Sequence, residues 1–186
     1  QSGTAVTDGW VGTGNDVDKL ILIQVDTVNA TSITTNDFES CDASVKEAVA
    51  KGHKNLSFLI ATSTIEGFDS EKPVLRNTTI EDRVNGFMNG VIDTKVKKAQ
   101  WIFCSENPQT AEDAVNHLLD SKNPPSVIFT SNNDMALAVL KVAGKRELTL
   151  GQDISLVTVD DSQWLEAISP GITVVERPVD EVARLA

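Results

Sequence analysis

The sequence predicts an α/β protein with a mostly parallel sheet covered by helices on both faces. Three observations lead there. From about residue 40 onward, helical apolar spacing alternates with short continuous apolar runs. The runs, such as LSFLIAT (56–62), have strand length and no polar side, as suits a strand buried on both faces. Helices and strands also alternate one for one, the rhythm of βα units rather than of hairpins.

The elements follow in order. Residues 42–53 set Val45, Ala48 and Val49 on one helical face, with Asp42 as the expected N-cap and Gly52 as the stop. A strand is predicted over 56–62, then a polar loop from Ser63 to Thr79. A helix over 79–92 opens with Thr79 and, three residues on, Asp82, close to a capping box. WIFCS (101–105) reads as a strand. In 106–121, a cap signal at Thr110 precedes Ala114, Val115, Leu118 and Leu119 on one face. Then come a strand over 124–132, a helix over 134–148 and a strand over 154–161. The first 37 residues are less regular. Residues 8–14 suit a strand, 19–26 an extended or helical apolar segment, and 26–37 a polar β-rich one. A further helix begins after Pro178.

A length of 186 residues supports one domain with a real core, or two small lobes. No apolar run approaches the roughly 18 residues of a membrane span. The net charge of −11 works against nucleic acid, which needs clustered cations to replace its counterions. The densest basic cluster is only Lys95, Lys97 and Lys98, so no DNA-binding module is expected within these residues. QSGTAVTDGW carries neither the basic nor the apolar region of a signal peptide, and no initiator Met, so a processed or excised piece is expected. Cys41 and Cys104 make neither a disulfide framework nor a zinc spacing, which fits a reducing cytoplasm and leaves one periplasmic disulfide open.

Catalytic and cofactor signals are weak. Gly12-Thr13-Gly14 invites a dinucleotide fingerprint, but Val17 occupies the place of the third glycine. The histidines, His53 and His117, have no nucleophile motif around them, and His53 is expected to cap the helix-ending carbonyls before it. Asp160 and Asp161 are adjacent at a strand end and so point different ways, which argues against a two-carboxylate site. No enzyme activity, cofactor or metal is expected.

Several segments resemble the effector-binding domain of the LacI/GalR family of bacterial transcription regulators. In the C-terminal half these are Asn132-Asn133, Met135-Ala136-Leu137, Gln152-Asp153-Ile154-Ser155-Leu156, Val159-Asp160-Asp161 and Pro170-Gly171-Ile172-Thr173-Val174. In the middle, AVAKGHKNLSFL (48–59) is similar to the family's helix–Gly-His–strand segment, and Arg83-Val84-Asn85-Gly86-Phe87 to its Arg-x-x-Gly-Phe motif. The resemblance is good over 35–186 and loose over 1–34. Four departures stand out: Asn133 replaces the usual Asp, Gly171 a Pro and Thr158 a Gly, while Glu106 stands where a ring-stacking aromatic is frequent.

The resemblance implies a two-lobed, periplasmic-binding-protein-like type I fold, incomplete in its N-terminal lobe. Residues 37–173 would form the C-terminal lobe, and 1–36 with 174–186 part of the N-terminal one. A small polar effector, a sugar or sugar derivative, would bind between the lobes. Asp160, Arg83 and Asn132 would face it, with Thr79 and Glu106 nearby. The simpler alternatives are that Asp160 and Asn132 only cap the helices after them, and that Arg83 is a solvated charge. Partners would be a second copy of the chain and, through a separate N-terminal module, operator DNA. The competing reading is a periplasmic solute-binding protein of a sugar transport system.

Overall fold

A computed structural model describes residues 21–23, 31–33, 35–75, 77–169 and 171–176. The strand expected over 8–14, the Gly12-Thr13-Gly14 turn and the helix after Pro178 lie outside the described residues. Two short strands, β1 (Ile21–Ile23) and β2 (Thr31–Ile33), pair in parallel as a separate sheet. The rest is one alternating chain: α1 (Asp37–Ala50), β3 (Asn55–Ala61), β4 (Phe68–Asp69), α2 (Thr78–Thr94), β5 (Lys98–Cys104), α3 (Pro108–Leu119), β6 (Val127–Thr130), α4 (Asn133–Lys145), β7 (Ser155–Val159) and β8 (Thr173–Val175). A short 3-10 helix, Gln163–Ala167, lies between the last two strands.

The larger sheet has the order β4-β5-β3-β6-β7-β8. All its pairings are parallel except the two-residue β4 on β5. The loop predicted over 63–79 therefore contains one edge strand, too short to leave a periodic signal. β8 pairs with β7 across the lobe boundary expected at residue 173, so this sheet extends to Val175.

Alternation along the central strands divides the core in two. Leu56, Phe58 and Ile60 of β3 meet Val45 and Ala48 of α1 and Val84 and Phe87 of α2. Leu59 and Ala61 of the same strand point the other way, toward Ala114, Val115 and Leu118 of α3 and Met135 and Val139 of α4. A strand covered on both faces has no polar side to show, which is why LSFLIA reads as an unbroken apolar run.

Helix starts differ from expectation at three places. α1 begins at Asp37, five residues before the expected cap, and Asp42 lies inside it, paired with Lys46. The cap of α2 is Asn77, whose side chain accepts from the amides of Thr79 and Ile80, not Thr79. Asn107, not Thr110, caps α3, with Pro108 at its first turn. In each case an Asn or Asp upstream of the periodic segment begins the helix before the apolar stripe starts. The stop at Gly52 holds: its φ of 99° is a left-handed conformation that glycine adopts freely. His53 uses its backbone N–H to cap Ala48, while its Nδ1 meets the Ser126 hydroxyl at 3.0 Å rather than the helix carbonyls.

Helix pairs are tied by ions. On one face Lys46 bridges Asp42 of α1 and Asp93 of α2. On the other, Glu112 of α3 receives Lys141 and Lys145 of α4, and Arg146 forks onto Asp120. Lys46, Lys145 and Arg146 hold the carboxyls of Asp42, Glu112 and Asp120 respectively below their ordinary values. Burial lowers His53 from its ordinary 6.5. Both kinds of shift act in one direction. A carboxyl with a lowered folded pKa adds stability at neutral pH, which is lost as pH falls through that folded value. A His held neutral penalises the folded state once pH drops below its ordinary value. The melting temperature is therefore expected to fall on acidification, beginning near pH 6.5 with His53 and steepening through and below about pH 4 with the carboxyls. Circular-dichroism melts across that range test this; a flat profile would contradict it.

Candidate functional site

In an open α/β sheet, ligands enter where neighbouring strands send their chains to opposite faces. Here β3 leads to α2 on one face, while its neighbour β6 leads to α4 on the other. The C-terminal ends of those two strands carry a row of buried polar residues: Thr62, Thr130, Ser131 and, on β7, Thr158. Arg83 and Asp37 are buried beside them.

Arg83 organises this row. It lies in the second turn of α2 and is only 3% exposed. Its Nε donates to Asp37 Oδ1 at 2.7 Å, and its Nη1 donates to the main-chain oxygen of Ser131 at 2.5 Å. Asp37 opens α1 and its other oxygen accepts from the Thr35 hydroxyl. The reading of Arg83 as a solvated charge is thus corrected: a guanidinium buried this deeply requires a carboxylate and a carbonyl to replace its water. Ser131 is fixed in turn. Its amide donates to Leu59 at 3.0 Å, and its hydroxyl accepts from the Ala61 amide at 2.8 Å. The helix on one face, the central strand and the β6–α4 turn are joined through one residue.

A close approach allows it. A Cβ on Gly86 would lie 2.1 Å from the Phe38 carbonyl oxygen, and one on Gly90 would lie 2.7 Å from Val45 Cβ. Small residues one turn apart let α1 settle onto α2, which brings Asp37 within reach of Arg83. Phe87, the next residue, packs between Phe58 and Phe129, with ring centroids at 5.0 and 5.3 Å. The Arg-x-x-Gly-Phe motif thus holds a buried donor, a helix contact and a core anchor in five residues.

The other predicted residues fall along the same edge. Asn132 caps α4, its Oδ1 accepting from the Met135 amide at 3.0 Å. Among the described residues its Nδ2 hydrogens have no acceptor. Asp160 follows β7 with φ of 73°, a left-handed backbone that Asn and Asp tolerate better than other side chains, and its amide donates to Val175 at 3.0 Å. The cap alternative for Asp160 does not hold: the 3-10 helix starts from Ser162. Thr79 is buried in the first turn of α2. Glu106 is exposed, between the end of β5 and the cap of α3. Asp37 and Ser131 were not foreseen. Nothing in their local sequence marks them, because each acquires its role from a partner 46 or 48 residues away.

Both thiols are buried and free. Burial pushes Cys41 up to about 12 and Cys104 up to about 11, so neither supplies a thiolate nucleophile at neutral pH. Among the described residues, no three His, Cys, Asp or Glu side chains are grouped to hold a metal ion. No described helix is long and apolar enough to cross a membrane.

The sequence profile of the periplasmic binding protein-like domain matches residues 45–186, more than half of the chain. The chain belongs to that family. Among family relatives, the Probable HTH-type transcriptional repressor ExuR of Bacillus subtilis (strain 168) is 26% identical over 163 residues, covering 87% of this chain and 45% of that protein. The Probable opine utilization operon repressor of Rhizobium rhizogenes is 26% identical over 153 residues, covering 81% of this chain and 75% of that one. The family fold recurs in the crystal structure of a LacI family transcriptional regulator from Enterococcus faecium with bound ribose. The TM-score is 0.74 at 16% identity, covering 89% of this chain and 58% of that structure. The chain thus spans a little under half of the first repressor and over half of the ribose-bound structure. Both relatives carry the name of probable repressors, as the LacI/GalR resemblance led one to expect.

Proposed function

We propose that this chain is the effector-binding domain of a LacI/GalR-type transcription regulator, and not an enzyme. The observation that carries this reading is the convergence of Arg83, Asn132 and Asp160 on the C-terminal edge of a doubly wound sheet in a chain whose relatives are repressors. Residues 37–173 and the remainder of β8 form one lobe. Residues 1–36 and the segment after β8 belong to the other, and the effector sits between the two. The effector is a small polar molecule rich in hydroxyls, a sugar or sugar derivative, which accepts from the Asn132 amide and donates to the Asp160 carboxylate. Ribose in the Enterococcus faecium regulator is the model for it. Arg83 contributes through the donors it does not spend on Asp37 and Ser131; Thr79 and Glu106 line the approach. Effector binding shifts the balance between lobe arrangements and, in a cytoplasmic homodimer, the operator affinity of a separate DNA-binding module. Repressors among the relatives favour regulation over solute transport.

Titration calorimetry tests it, with D-ribose, neutral hexoses, sugar acids, sugar phosphates and nucleosides. Two variants separate binding from folding. Asn132→Ser keeps a good N-cap but removes the amide, and Asp160→Asn keeps a residue at ease with φ of 73° but removes the charge. One ligand is expected to bind the unaltered protein and to lose roughly tenfold or more in each variant, the equivalent of about 1.4 kcal/mol, while each variant still unfolds in one cooperative transition. A ligand bound equally by all three proteins would show that the site lies elsewhere.

A further inference from the structure

Asn132 and Asp160 sit on different turns, one after β6 and one after β7. Two other side chains tie those turns together. Thr158, fully buried at the end of β7, directs its hydroxyl at the main-chain oxygen of Asn132, 3.4 Å away, and shares it with the oxygen of Val159 at 3.1 Å. Asn133, the first residue of α4, donates from Nδ2 to the Ser162 hydroxyl at 2.6 Å. One tie thus runs to Asn132 itself from two residues before Asp160. The other runs from the residue after Asn132 to the second residue beyond Asp160.

The Asn133 tie has a cost. Among the described residues its Oδ1 is buried without a hydrogen-bond partner. Exchanging the oxygen and nitrogen of the amide would leave Ser162 satisfied and strand the NH2 group instead, so either orientation keeps one buried polar group unpaired. A residue chosen only to stabilise the fold would not carry that penalty.

We propose that Asn133 and Thr158 are positioning residues that lock the Asn132 and Asp160 turns into one pre-organised unit, so that a ligand meets both at a fixed separation. This rests on the reading of the two as effector contacts. Neither positioning residue touches the ligand. Holding both turns before binding removes an ordering cost that the ligand would otherwise have to offset.

The deciding experiment needs no ligand. Amide hydrogen exchange and side-chain amide NMR are recorded for the unaltered protein and for Asn133→Ala, Thr158→Val and Thr158→Ser. In Asn133→Ala and Thr158→Val, the Asn132 side-chain resonances should shift, and exchange at both the Met135 and Asp160 amides should quicken by roughly tenfold or more, the protection of one hydrogen bond. Thr158→Ser should restore the unaltered pattern. The melting temperature of Asn133→Ala should change little, because the bond to Ser162 leaves together with the buried oxygen that lacks a partner. The proposal is overturned if Asn133→Ala changes exchange at Met135 alone and leaves Asp160 untouched, or if its melting temperature drops with no change at either amide. If Thr158→Val does not fold, Asn133→Ala decides alone. A protein that shows this coupling but binds none of the titrated sugars would contradict the effector reading and leave the coupling intact.

Discussion

Arg83→Ala is expected to cost about 3–5 kcal/mol of stability, the range for removing one partner of a buried ion pair. Asp37 would then be a carboxylate only 5% exposed with its guanidinium gone, and the Ser131 carbonyl would lose its donor. For a chain of this size the melting temperature should drop by roughly 6–20 °C. Arg83→Lys should recover only part of it, because one ammonium cannot reproduce a fork that reaches Asp37 and Ser131 together. Asp37→Ala should cost a similar amount, since it strands the guanidinium instead. The double variant Asp37→Ala with Arg83→Ala should lose clearly less than the two single losses added, because neither charge is then left alone. Denaturant unfolding of the four proteins gives the cycle. Additive losses would mean that the two side chains stabilise the fold independently. The same burial makes Arg83→Ala a poor probe of ligand binding, since lost affinity and lost fold would be confounded.

The alternation of helix and strand was legible because each element carries its own period. Val45, Ala48 and Val49 announce α1, and the unbroken LSFLIA announces a strand covered on both faces. Strand order was not legible: no local feature tells β6 to cross β3 and pair on its far side, and β4 is two residues long. Helix starts lie upstream of the apolar stripe, where the periodic signal is absent. Asn77 and Asn107 lie before it, and only their bonds to the first-turn amides distinguish them from loop residues.

The site divides in the same way. Arg83, Asn132 and Asp160 came from a resemblance, and the fold gathers them on one edge of the sheet. Their surroundings were not readable. Asp37 ends a polar, β-rich stretch of sequence, yet it decides whether Arg83 can be buried at all. The Asn132 oxygen caps α4 without engaging its NH2, so the cap does not exclude the ligand contact proposed for it. The left-handed backbone at Asp160 had no glycine to announce it; Asp tolerates that conformation, and its amide pairs with β8. Long-range partners confer these roles, and a single chain read residue by residue does not reveal its partners.

Gly86→Ala is the smallest substitution expected to damage both fold and site. Its new methyl would lie 2.1 Å from the Phe38 carbonyl oxygen, 2.9 Å from the carbonyl carbon and 3.0 Å from the Cα. All three atoms are backbone of α1, so no rotamer change relieves the overlap, and the two helices must separate at that end. Overpacking a well-filled contact costs about 1–3 kcal/mol, occasionally more, and a clash with backbone belongs at the upper end. Helix propensity opposes this by about 1 kcal/mol, since Ala is the better helix former. The sign of the net effect is therefore diagnostic: destabilisation means that the close approach of α1 and α2 governs, and stabilisation would mean that they do not touch here. Separation would also draw Asp37, one residue before Phe38, away from Arg83. The methyl of Gly90→Ala, one turn on, would lie 2.7 Å from Val45 Cβ and 3.0 Å from the Asp42 carbonyl oxygen, and should cost less because its closest approach is longer than the 2.1 Å at Gly86. Gly144→Ala is the control: nothing lies within 4 Å of a Cβ there, and propensity alone should act. The expected order of melting temperature is Gly144→Ala at or above the unaltered protein, then Gly90→Ala, then Gly86→Ala. A melting temperature for Gly86→Ala equal to that of Gly144→Ala would remove the physical reason given for glycine in the Arg-x-x-Gly-Phe motif.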